Sequence, residues 1–98
     1  MHEMVHVWQY QLGYPVKLRG ALRIGLSYEY ELAEGKTLAD FNMEAQGDLL
    51  ADYWALRFET PPVVLAQGRY AQSLPLFEKV LATFLVDPAS KASLPGGN

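Results

Sequence analysis

Cysteine is missing from this 98-residue chain. Disulfide staples and thiolate metal sites are therefore excluded, and any transition metal must be held by His, Asp and Glu. Positive charge is sparse: eight Lys and Arg stand against eleven Asp and Glu, for a net charge of −3. Lys17, Arg19 and Arg23 form the only local basic group. Phosphate binding needs clustered cations, so no nucleic-acid partner is expected. Apolar runs long enough to span a bilayer are also missing, so no membrane partner is expected. The first residues lack the apolar core of a secretory signal, because His2, Glu3 and His6 sit where it would lie. The expected location is cytoplasmic, or exported as part of a larger assembly.

What is present is an ordinary folding composition. Half the residues are hydrophobic and 12% are aromatic, enough for one modest core. His2 to Leu12 reads as a helix stopped by Gly13 and Pro15. From Val16 to Gly25 the pattern fits either a short helix or an irregular loop. Leu26, Tyr28, Tyr30 and Leu32 alternate with polar residues, a period of two that predicts a half-buried strand. Glu34-Gly35-Lys36 reads as a turn, and Thr37 to Phe41 then pairs back to make a hairpin. Asn42 is a good N-cap for a helix from Met43 to about Phe58, ended by Thr60-Pro61-Pro62. A third helix is expected from Pro75 to Val86, with Leu74, Phe77, Leu81 and Phe84 in an apolar stripe. That stripe reads as core, with a homodimer face as its alternative use. Trp8, Tyr10, Tyr53 and Trp54 read as core aromatics. One domain over residues 1–86 is expected, followed by a disordered tail over 87–98.

Chemistry concentrates at two places. His2-Glu3-Met4-Val5-His6 is a HExxH motif. On a helix, residues four apart share a face, so both imidazoles can converge on one ion, with Glu3 beside its open side as a general base. Two imidazoles need a third ligand. Glu44-Ala45-Gln46-Gly47-Asp48 is an ExxxD pattern on the next long helix, again with i and i+4 on one face. Glu44 can complete a two-His, one-Glu site for Zn²⁺, and Asp48 can accept from the far nitrogen of a ligand imidazole. Taken alone, each motif also describes a solvated polar face. Their occurrence together favours a metal site.

HEMVH followed by ExxxD resembles the glutamate-type zincins, whose thermolysin-like members carry HExxH and a downstream ExxxD helix. The longer strings HEMVHVWQYQLG, LRGAL, YEYEL and NMEAQGDLLADYW resemble small bacterial zincin-like domains of Vgr-related and Rhs-type secretion-associated proteins. The resemblance covers residues 2 to 58. It implies an α+β minimal zincin-like domain, mainly helical with a small β-hairpin between the two motif helices. It implies His2, His6 and Glu44 as zinc ligands, Glu3 as base and Asp48 as the outer carboxylate. The implied activity is zinc-dependent hydrolysis of a peptide or protein substrate; the alternative is a non-catalytic interaction module of a secretion-associated system, with or without structural metal. Tyr28 and Tyr30 can polarise a carbonyl in such a site, but packing is the expected role of tyrosines in an alternating strand. Two departures stand out. His6 and Glu44 are 38 positions apart, longer than the thermolysin spacing, and the motif begins at residue 2, where zincins place strands ahead of the helix. A fragment, a mis-called start and a decayed enzyme are the expectations this leaves open.

Overall fold

The computed structural model describes residues 1–16 and 27–96. Lys17, Arg19 and Arg23, the helix-or-loop segment around them and Leu26 lie outside the described residues.

Helix α1 spans His2–Gln11. Glu3 in its first turn complements the positive end of the helix. At the far end Gly13 adopts φ +93°, the left-handed geometry that glycine accepts without strain. The amides of Leu12, Gly13 and Tyr14 fold back onto the carbonyls of Trp8, Tyr10 and Gln9, so the helix ends where the sequence places its stop. Val5 and Gln9 are its buried positions, four apart and therefore on one face.

That face meets α2, Met43–Phe58. Asn42 caps α2, its Oδ1 accepting from the amides of Glu44 and Ala45 at 3.0 and 2.9 Å. Its Nδ2 donates to the carbonyl of Ser27, which fastens the preceding extended segment to the start of the helix. Leu49 and Leu50 of α2 form the core with Val5, Phe77, Val80 and Leu81. The expected third helix is divided: α3 runs Leu74–Val80 and α4 runs Ala82–Val86. No Gly or Pro marks the break. It falls at Leu81, whose side chain is fully buried and whose backbone sits at φ −91°, ψ 5°. Beyond α4, Trp8 Nε1 donates to the carbonyl of Pro88, a 3-10 turn forms at Lys91–Ser93, and the amide of Gly96 donates to the carbonyl of Ala39.

Among the described residues the β-hairpin between the motif helices is not there. Among the described residues the elements are all helical, with no strand or sheet, so the α+β assignment is corrected to an all-helical one. The alternation itself is real: Tyr30 and Leu32 are buried, and Glu29 and Glu31 are exposed. The extended segment lies on helices rather than on a second strand, and side chains take the place of a ladder. Tyr70 Oη accepts from the amide of Leu32, and Arg69 Nη2 reaches the carbonyl of Tyr30 at 3.5 Å. The expected return strand is instead a 3-10 turn, Leu38–Asp40, closed by a capping box between Thr37 and Asp40. Two of the expected core aromatics also face outward, with Tyr10 and Trp54 66% and 44% exposed.

Candidate metal centre

The two motif helices bring the sequence-predicted residues together. His2 and His6 lie one turn apart on α1, while Glu44 and Asp48 lie one turn apart on α2. His2 Nε2 is 3.0 Å from His6 Nε2 and 3.1 Å from Glu44 Oε1. His6 Nε2 is 2.7 Å from the same oxygen. Glu3 is exposed and, with Tyr28 and Asp48, lines the same recess of about 300 Å³.

The outer nitrogens decide what the inner ones can do. His2 Nδ1 is 2.8 Å from Asp48 Oδ1, and an ionised carboxylate only accepts. His6 Nδ1 is 2.8 Å from Gln9 Oε1. Gln9 is oriented by its own amide nitrogen, which donates to the carbonyl of Met43 at 3.2 Å and to Gln46 Oε1 at 2.8 Å. Both imidazoles therefore carry their hydrogen on Nδ1 when neutral, and both Nε2 atoms present lone pairs. Two lone pairs and a carboxylate oxygen then face one another at 2.7–3.1 Å. Such an arrangement repels itself unless a cation sits among the three atoms: a proton shared with an imidazole, or a metal ion. In a tetrahedral zinc site with bonds of about 2.0–2.1 Å, ligand atoms stand roughly 3.3 Å apart. The residues fit that ion after opening by a few tenths of an ångström.

Glu44 is fully enclosed. Burial pushes its carboxyl up, but hydrogen bonding to His2 and Tyr28 and the pull of His6 outweigh it once a proton sits on the inner nitrogens of the imidazoles, and the net position is then below the ordinary carboxylate range. The acid is thus held ionised, as a ligand must be. Tyr28 Oη donates to Glu44 Oε2 at 3.0 Å, which leaves Oε1 turned toward the imidazoles. The Tyr28 ring stacks on His2, with centroids 5.7 Å apart.

Sequence reasoning missed Gln9 and Gly47, and ranked packing ahead of a role at the site for Tyr28. Tyr28 reads as a packing tyrosine, yet its side chain is half exposed and touches two centre residues; its partner Tyr30 is the one in the core, donating to Asp52. Gln9 is three positions after His6, on the same helix face, but nothing in the chain marks it as buried. Gly47 lies under the His2 ring: a Cβ there would stand 2.5 Å from His2 Cε1. Glycine at this position is what lets His2 lie against α2.

No family model matches the chain, and no solved structure matches it. An alignment 60 positions long, covering 55% of the chain, is 48% identical to the type VI secretion system spike protein VgrG2b of Pseudomonas aeruginosa. The match spans 6% of that protein's length. This similarity supports a secretion-associated relationship and does not speak to peptidase activity.

Proposed function

We propose that His2, His6 and Glu44 hold a divalent cation of the zinc type, and that this centre hydrolyses an amide bond of a peptide or protein substrate. The observation that carries the reading is the convergence of two lone-pair nitrogens and a buried carboxylate on one point. A bound zinc supplies a Lewis acid and lowers the pKa of water. Glu3, exposed on the rim of the recess, takes the proton from the attacking water and delivers it to the leaving amine. Tyr28 Oη, at the same rim, orients Glu44 by donating to its Oε2.

A second reading is favoured by a separate observation. The similarity to a short stretch of a secretion spike protein supports, more directly than it supports an enzyme, a module that associates with other proteins of a secretion assembly. In that reading the same ligands hold a structural metal. One experiment tests both. Metal content is measured by mass spectrometry on untagged protein and on His6→Ala, and peptide hydrolysis is followed for wild type and Glu3→Ala. About one zinc per chain, lost in His6→Ala, with turnover abolished by Glu3→Ala while zinc is retained, supports the hydrolase. Zinc that raises the melting temperature without any turnover leaves the module. Protein that takes up no zinc refutes the metal centre.

A further inference from the structure

The Gln9–Gln46 pair is a buried polar device behind His6 that touches neither the proposed ion nor a substrate. Both side chains are fully buried, and amides in such positions are retained only with their hydrogen bonds made. Here every bond has a fixed direction. Gln46 Nε2 donates to the carbonyls of Leu38 at 2.9 Å and Ser93 at 3.0 Å. A backbone carbonyl can only accept, so the Gln46 amide cannot flip, and its Oε1 is an acceptor. Gln9 Nε2 fills that acceptor at 2.8 Å and also reaches the carbonyl of Met43. Gln9 Oε1 is therefore an acceptor too, and it faces His6 Nδ1 at 2.8 Å.

From this chain we infer that Gln9, held by Gln46, is the positioning residue that locks His6 in its Nδ1–H tautomer and so keeps the His6 Nε2 lone pair on the metal site. The inference rests on the metal-centre reading for its purpose but not for its geometry. Three backbone carbonyls, of Leu38, Met43 and Ser93, set the tautomer of a ring that none of them touches. His2 is held differently, by the single carboxylate of Asp48. The two ligands of one motif are thus aligned by unrelated devices, one ionic and half-buried, the other neutral and fully enclosed. The neutral device also ties the site to the 3-10 turns at Leu38–Asp40 and Lys91–Ser93.

The chain has only two histidines, so the tautomer of each ring is readable by long-range proton–nitrogen NMR on the ¹⁵N-labelled full chain, freed of metal with a chelator. Spectra are taken across a pH series, so that a neutral ring is told from a doubly protonated one by its nitrogen shifts. In wild type, His6 is expected as Nδ1–H with Nε2 unprotonated. Gln46→Met, which does not touch the ring, should raise the Nε2–H population of His6 and leave His2 unchanged. Gln9→Met should do so more strongly, and zinc affinity should fall about 10–100-fold with it. A wild-type His6 found as Nε2–H overturns the inference without recourse to any variant, so a variant that fails to fold leaves it testable. An unchanged His6 tautomer in a folded Gln9→Met or Gln46→Met protein overturns it as well. Failure of wild type to bind zinc in a parallel titration would refute the metal-centre reading instead, and the tautomer result would stand on its own.

Discussion

Three carboxylates lie along α2 at four-residue intervals, Glu44, Asp48 and Asp52, and the two ends of this row behave differently. Asp52 is buried and meets only donors. Its oxygens accept from the amides of Ala66 and Gln67 at 2.6 and 2.9 Å and from Tyr30 Oη. Asp52 is thus a structural clamp that fastens the loop after α2 and the extended segment to the helix. Glu44 is buried to the same degree but meets two imidazole nitrogens that their outer partners have turned into acceptors. Burial of an acid does not make a site. What separates the two ends is whether the facing atoms carry hydrogens or lone pairs, since only the second arrangement calls for a cation.

The sharpest way to break this comparison is Glu44→Gln. It removes the proposed anionic ligand, and the zinc affinity should fall by more than the roughly 100-fold that loss of an outer partner produces, as read by isothermal titration. Retention of wild-type affinity would place the cation elsewhere. Asp52→Asn should do the reverse. It sets an amide group against the fixed amide donors of the loop, costing about 1–3 kcal/mol of stability in chemical denaturation, while zinc affinity stays within about twofold because the sites are separate. A matched loss of affinity would mean the two ends act as one. Gly47→Ala comes next. Glycine in a helix interior is ordinarily about 1 kcal/mol worse than alanine, so this exchange would normally stabilise. Here the new methyl meets the His2 ring, and the expected result is about tenfold weaker zinc binding. A stabilised variant with unchanged affinity would show that His2 is free to move aside.

The smallest effect concerns pH at the structural end. Burial, followed by the bond to the Asp52 carboxylate, raises the Tyr30 hydroxyl far above its ordinary value of 10.0. A group whose folded pKa is raised contributes stability that is complete below its unfolded pKa. That contribution is lost as the pH rises beyond about 10, because the unfolded chain releases the proton first. Wild type should therefore lose stability between about pH 10 and 11 more steeply than Tyr30→Phe, by roughly 1 kcal/mol per pH unit. Parallel alkaline limbs in the two melts would contradict this account of the clamp.

Much of the helical frame is legible in the chain. Asn42 announces the start of α2, Gly13 the end of α1, and the i, i+4 spacing of His2 with His6 and of Glu44 with Asp48 places each pair on one face. The hairpin reading failed for a specific reason. A period of two reports which side chains face inward, as Tyr30 and Leu32 do and Tyr28 does not, and says nothing of what lies beside the backbone, and here that neighbour is helical. The Thr37–Asp40 capping box, also written in the sequence, is the signal that competes with a return strand. No comparable signal announced Tyr28 as a partner of Glu44, and Trp54 and Tyr10 show that aromatic identity alone does not establish burial.

The sequence by itself determined the donor set and its local geometry, because helical periodicity is a property of neighbouring residues. It set two imidazoles on one turn, two carboxylates on another, and Glu3 beside the first. Only the tertiary structure decided that these two turns meet and which nitrogen of each ring points inward. The physical reason is that the tautomer of an imidazole depends on what its other nitrogen touches. For His6 that partner is Gln9, oriented through Gln46 by the carbonyls of Leu38 and Ser93, residues brought together only when the chain has folded.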